Sequence, residues 1–263
     1  MTSEKRPRSI QILSLPVDLL TMDEVLDKVV EYVETGARPC SIFAVNPEKS
    51  ITAPKDTVLR SAMCSADVII PDGIGVVLAA RILHAKRIQR ITGVDLMQRI
   101  CDLAAQKGYR VFLYGAKEEV NKKAAAQLQR KFPGLQVAGR CNGYIAESEM
   151  GALIERINEL RAQILFLALG SPKQELWFAK HKDALTTVRV CQGIGGTLDA
   201  ITGQVKRAPR IVQKLGLEWL YRLATEPKRA KRQAALPIFA WMVLKARLRA
   251  SLGMPGAHRG GAN

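Results

Sequence analysis

The chain has 263 residues, 48% hydrophobic and 24% charged, with a formal net charge of +16. This apolar content excludes a wholly disordered chain, and the length suits one large domain or a domain with an appendage. The longest apolar runs, 164–169 and 236–244, fall short of the roughly 20 residues that cross a bilayer.

The opening MTSEKRPRS is polar and leads into no apolar core, so no secretory leader is expected. From Ser9 to about Gly203, short apolar runs alternate with amphipathic segments, the pattern of an α/β layered fold with helices on both faces of a sheet. Thr21-Met22-Asp23-Glu24 reads as a capping box; Val25, Val29 and Val33 make the buried stripe and Gly36 the stop. Strands are predicted at 41–46, 68–71, 111–115, 164–170 and 188–193; most are continuous apolar runs, as strands covered on both faces require. Helices are predicted at 93–108, with Met97, Ile100 and Ala104 inward, and at 117–132 and 148–161.

After Gly203 the character changes. Residues 204–252 hold twelve Lys/Arg against two Asp/Glu, so +10 of the +16 sits there. A helix is predicted over 211–224, with Val212, Leu215, Trp219 and Leu223 on one face. A basic knot follows at 228–232, then a second helix over 238–252, opened by Pro237 and rich in Trp241, Met242, Leu244 and Leu248. The chain therefore divides into an α/β domain (1–203), a basic amphipathic appendage (204–252) and a tail (253–263) expected to be disordered. Five scattered cysteines without a C-x-x-C pair predict reduced, mostly buried thiols and a cytosolic setting. With only three histidines no zinc-site spacing exists, so no metal site is expected.

No G-x-x-x-x-G-K-[ST] loop, complete dinucleotide fingerprint, G-x-S-x-G elbow or D-x-D motif is present. The most informative stretch is ILFLALGSPKQELW at 164–177. An apolar strand reaches Gly170, with Ser171 placed as N-cap, Pro172 as first helical residue and Gln174 three residues after the serine. This would put a positive helix end at the carboxyl edge of a sheet, where α/β proteins bind phosphorylated ligands. Alternatively, Ser171 and Gln174 simply form a capping box. ADVIIPDGIG at 66–75 ends a strand with Pro71-Asp72-Gly73, read either as a tight turn or as a carboxylate presented for general-base work. Asn46 closes the preceding strand, as a turn former or a ligand for a sugar hydroxyl. Arg90 is either solvated or a phosphate clamp. The appendage fits a solvated face, a nucleic-acid site or a membrane-surface helix. The last matches best, because its aromatics fall on helical stripes rather than a base-stacking platform.

In chain order, Asn46-Pro47-Glu48, ADVIIPDGIG (66–75), RITGVD (90–95), VFLYGAKEE (111–119), LGSPKQELW (169–177), GIGGTLDAITGQVKRAPR (193–210) and GLEWLYRL (216–223) with EPKRAKR resemble the TagA/WecG/CpsF family of bacterial glycosyltransferases. The resemblance covers about Ser9 to Arg232. It implies a Rossmann-like, metal-independent, inverting transferase without a cofactor. Such an enzyme would move a sugar from a UDP-sugar to an acceptor on a polyprenyl diphosphate, for cell-surface polysaccharide, peripherally at the cytoplasmic face of the inner membrane.

Carried onto this sequence, the resemblance makes Asp72 the general base and Arg90 a diphosphate-binding arginine. It places Gln174 and Asn46 in the substrate pocket with the Gly73 and Gly170–Ser171 turns. It directs Arg222, Arg229 and Arg232 to the diphosphate of the lipid acceptor. Family members commonly carry a threonine two residues before the asparagine, where this chain has Ala44, a departure in the donor pocket. The expected partners are the UDP-sugar, the lipid-linked acceptor, an anionic membrane surface and other copies of the chain. The rivals are a nucleic-acid-binding protein using the basic C-terminus, and a non-catalytic nucleotide-binding membrane adaptor.

Overall fold

The computed structural model describes residues 8–205, 208–214, 216–225 and 234–252, with Arg210, Lys214 and Arg222 described at the backbone only. The basic knot at 228–232, with Arg229 and Arg232, and the tail at 253–263 lie outside the described residues.

Six strands form one parallel sheet: β3 (Cys40–Val45), β4 (Val68–Pro71), β5 (Arg110–Gly115), β6 (Gln136–Cys141), β7 (Ile164–Ala168) and β8 (Val190–Gly193), in the order β4-β3-β8-β7-β5-β6. The period-2 geometry of a strand sends alternate residues to opposite faces. Thus Phe43, Val45, Phe112, Tyr114, Leu165 and Leu167 enter one core layer. Ile42, Val111, Leu113, Ile164 and Phe166 enter the other. Each layer is closed by helices, which is why these strands read as unbroken apolar runs. This is the expected Rossmann-like architecture.

Helix α1 (Met22–Thr35) begins at the capping box read from sequence: Glu24 N–H donates to Thr21 Oγ1, and Thr21 N–H donates to the Glu24 carboxylate at 2.7 Å. Val25, Val29 and Val33 are buried. The next helices are α2 (Pro47–Thr52), α3 (Thr57–Cys64), α4 (Ile74–His84), α5 (Gly93–Lys107), α6 (Glu118–Lys131), α7 (Met150–Glu159), α8 (Lys173–His181) and α9 (Thr197–Ile201).

One expectation is corrected and three strands are added to those predicted. Strands β1 (Ser9–Ile12) and β2 (Leu15–Asp18) pair antiparallel in a separate two-stranded sheet, and Asp18 Oδ2 ties it to β4 by accepting from Ile69 N–H at 2.6 Å. The edge strand β6 has no apolar run, because one side of it meets no strand and its residues are only half covered. The helix expected over 211–224 is broken into α10 (Arg210–Lys214) and α11 (Glu218–Thr225). Gly216 sits between them at φ +73°, and a Cβ there would come within 2.9 Å of Ile74. The break lets the chain turn closely across the first turn of α4.

The last described helix, α12 (Ala235–Ser251), packs on α2 and α4 and buries Phe239 and Val243. It starts before Pro237, which falls inside the first turn, where a missing N–H costs no hydrogen bond. All five cysteines are free thiols; Cys40, Cys101 and Cys191 are buried, Cys141 is half-buried and Cys64 exposed. Burial pushes the Cys101 thiol up to about 12 and those of Cys40 and Cys191 well above the ordinary range.

The junction of β5 and β7 is the least forgiving point. Gly115 has φ +123°, and a Cβ would lie 2.4 Å from the Ala168 carbonyl carbon. Backbone strain and backbone-on-backbone overlap combine, so Gly115→Ala should destabilise the protein by about 3 kcal/mol or more, read as the shift of the urea midpoint at constant slope.

Candidate functional site

The strand register sets the site. Val45 of β3 is level with Pro71 of β4, and Leu167 of β7 with Gly193 of β8, so four strands end on one rim. The turns leaving them enclose a cleft of about 400 Å³ lined by Asn46, Asp72, Gly73, Arg90, Gly170, Ser171 and Gln174. These seven predicted site residues come from four separate stretches of sequence, and the structure brings all of them together. The cleft lies at the carboxyl ends of the strands, where open parallel sheets take their ligands.

Helix starts converge on it. The first turns of α4, α5 and α8 all contribute lining residues, and so do the short helices α2 and α9. Each start leaves backbone N–H groups without intrahelical partners and carries the positive end of the helix dipole. Gly73, at φ +91°, opens α4 and Pro172 opens α8, both without a side-chain cap. At α5, by contrast, Thr92 Oγ1 accepts from Asp95 N–H at 3.1 Å. Arg90, half-buried, precedes this helix, and its neighbour Ile91 donates to the Pro71 carbonyl at 3.0 Å. The arginine is thereby fixed beside the end of β4. The cleft thus gathers helix starts and the Arg90 guanidinium, together with the carboxylates of Glu48, Asp72 and Glu218, and helix starts and guanidinium groups are the features that favour anions.

Asp72 follows β4 directly, half-buried, with its backbone N–H donating to the Val45 carbonyl at 2.8 Å. The chain turns at Gly73 (φ +91°) straight after β4, and Asp72 at that turn lines the cleft. Asn46 does two things. Its Oδ1 accepts from Lys49 N–H at 2.9 Å, capping α2, while the residue lines the cavity.

The predicted capping box of α8 does not form. The helix starts two residues after Ser171, with Pro172 as N-cap, following a cis Ser171–Pro172 peptide. Gln174 N–H donates instead to the Gly170 carbonyl at 2.9 Å. Its buried side chain turns inward, where Oε1 accepts from Gly195 N–H at 2.9 Å and Nε2 donates to Glu175 at 3.1 Å. The oxygen and one of the two Nε2 hydrogens of the carboxamide are thus engaged at the cleft floor, away from Ser171.

Of the appendage arginines, Arg222 lies on α11, whose first turn supplies Glu218 and Trp219 to the cleft. Arg229 and Arg232 lie outside the described residues. Sequence reasoning missed Lys49, Glu175 and the Gly193–Thr197 turn. It also missed the contribution of Ala235 and Leu236, at the start of α12, to the cleft wall. Ala44 lines the cavity too. Among the described residues no three His, Cys, Asp or Glu side chains converge as metal ligands, and no helix is long and apolar enough to cross a membrane.

Fold and cleft together define an open, parallel α/β protein with a cavity at the carboxyl ends of its strands. The sequence profile of the glycosyl transferase WecG/TagA/CpsF family matches residues 10–253, and the chain belongs to that family of glycosyltransferases. A protein of Bacillus spizizenii named N-acetylglucosaminyldiphosphoundecaprenol N-acetyl-beta-D-mannosaminyltransferase is 36% identical over 228 residues, 85% of this chain and 88% of the relative. Its namesake in Bacillus subtilis is 37% identical over 204 residues, 78% of each chain.

Proposed function

We propose that the cleft transfers an N-acetylhexosamine from a UDP-sugar to a sugar carried on a polyprenyl diphosphate, with inversion and without a metal ion, in cell-surface polysaccharide synthesis. The observation that carries this reading is the convergence of Asp72, Arg90 and three helix starts on one cavity. The names of the Bacillus relatives supply the acceptor class, a diphosphoundecaprenol-linked N-acetylglucosamine, and put N-acetylmannosamine first among donors to test.

An acceptor hydroxyl is a weak nucleophile. Asp72 takes its proton as the new bond to the anomeric carbon forms, and the bond from that carbon to the UDP oxygen breaks with its electron pair leaving on UDP. Attack from the face opposite the leaving group, with no covalent sugar–enzyme intermediate, inverts the anomeric centre. The charge developing on the diphosphate is met by Arg90 and by the first turns of α4, α5 and α8, fixed dipoles that need no reorganisation as the reaction proceeds. Asn46 and Gln174 present carboxamide hydrogens for oxygens of the donor sugar. Arg222, Arg229 and Arg232 are assigned to the acceptor diphosphate.

The domain (1–203) carries the chemistry, and the appendage (204–252) holds it on the anionic cytoplasmic face of the membrane as a peripheral protein. Supporting this, α12 exposes Ile238, Trp241, Leu244, Leu248 and Leu252. At 100° per residue these fall within an arc of about 120°, opposite the docked Phe239 and Val243. The Lys245 ammonium lies 4.6 Å from the Trp241 ring centre. An apolar stripe carrying a long lysine whose ammonium can rise to the surface suits the headgroup boundary.

A panel of UDP-sugars offered with a short-chain polyprenyl diphosphate-linked N-acetylglucosamine, read as released UDP, tests the reading. One donor should turn over only when acceptor is present, at the same rate in EDTA and with an inverted product. Release from no donor would overturn the transferase reaction proposed, and loss of rate in EDTA would overturn its metal independence.

A further inference from the structure

Beneath the cleft lies a buried ion pair with no part in the chemistry above. Lys49 Nζ donates to Glu175 at 2.6 Å and to the Ala44 carbonyl at 2.8 Å. The Glu175 side chain is 0% exposed and that of Lys49 8%. Gln174 Nε2 donates to the same Glu175 oxygen at 3.1 Å, and Gly195 N–H donates to Gln174 Oε1. A carboxamide has chemically opposite ends that are close in shape, and a single partner would leave it free to rotate. Here a carboxylate can meet only the NH₂ end and a backbone N–H only the oxygen, so the amide is held one way round. Gly193 leaves the room this needs, since a Cβ there would lie 2.6 Å from Gln174 Nε2.

The pair therefore ties three strand ends together: β3 through Ala44, β7 through the first turn of α8, and β8 through Gly195. Burying two charges is a costly way to join elements, and well-packed apolar residues commonly serve stability as well or better. What apolar residues cannot do is fix the direction of an amide.

We infer that Lys49 and Glu175 are positioning residues, whose ion pair orients the Gln174 carboxamide so that its remaining Nε2 hydrogen faces the bound donor. The inference rests on the cleft being the transfer site. Its first test is independent of turnover. In the full-length protein labelled at glutamine side chains, hydrogen exchange of the Gln174 NH₂ group should lag that of the exposed Gln106 by roughly tenfold or more. Exchange as fast as that of Gln106 overturns the anchor, whether or not any sugar is transferred.

The second test replaces both charges, Lys49→Met with Glu175→Leu. If the pair positions Gln174, this variant keeps the unfolding midpoint and UDP affinity of the wild type while kcat falls about tenfold to a hundredfold. In a Gln174→Ala background the same two changes should lower kcat no further. A stable double variant with wild-type kcat, or losses that simply multiply with Gln174→Ala, overturns the inference. Should the double variant not fold, the exchange measurement decides alone.

Discussion

Asp72→Asn is expected to lower turnover by about a hundredfold to ten-thousandfold, the usual contribution of a positioned general base, while leaving UDP-sugar affinity nearly unchanged. The substitution keeps the shape of the side chain but replaces one acceptor oxygen with an NH₂ donor, and it removes the carboxylate's ability to take a proton. The backbone of the turn does not depend on that charge, since it is held by the Asp72 N–H to Val45 and the Ile91 N–H to Pro71. On the proposed reading, donor affinity resides in Arg90 and the helix starts. A loss of kcat with unchanged donor Kd is therefore the signature expected, measured by single-turnover kinetics beside calorimetric UDP binding. A near-normal rate would remove Asp72 as the base.

The second large effect concerns α12. Deleting the appendage outright would strip Phe239 and Val243 from the core they share with α2 and α4, confusing membrane release with unfolding. Phe239 also reaches the cleft: a Cβ on Gly75, in the first turn of α4, would lie 3.7 Å from its ring. The exposed face offers a cleaner experiment. Trp241→Glu with Leu248→Glu alters two side chains that are 59% and 63% exposed, so stability should change little. On an anionic leaflet each basic residue contributes on the order of 1 kcal/mol, and two new carboxylates would also lose the apolar insertion. Vesicle binding should fall at least about tenfold. Transfer to a long-chain lipid acceptor should fall with it, while transfer to a water-soluble short-chain acceptor persists. Unchanged vesicle binding would defeat the membrane assignment, and conversion of a dimer to monomer in solution would show that a second copy covers this face instead.

The lining of the cleft was largely legible in the sequence because its residues follow strand ends, and strands buried on both faces announce themselves as apolar runs. Asn46, Asp72, Gly170 and Ser171 each sit within a few residues after such a run, so one sheet gathers them. What escaped were features set by neighbours in space. Strand β6 carries no hydrophobic pattern because it is an edge. The break before α11 depends on Gly216 meeting Ile74, and a lone glycine in an amphipathic stretch was the only sign of it. The Ser171 and Gln174 spacing fits a capping box, but Gly195 and Glu175 compete for the glutamine and win. The Lys49–Glu175 pair joins residues 126 positions apart, and neither NPEK nor PKQE contains a pattern that foretells it.

A crystal structure of the protein with bound UDP bears most directly on how the cleft works. The diphosphate should lie against the first turns of α4, α5 and α8 with Arg90 on its oxygens, and the Asp72 carboxylate should face the open space beyond the β-phosphate where the sugar and its acceptor meet. A nucleotide seated elsewhere, or an Asp72 carboxylate turned away from that space, would contradict the catalytic arrangement derived from the strand ends.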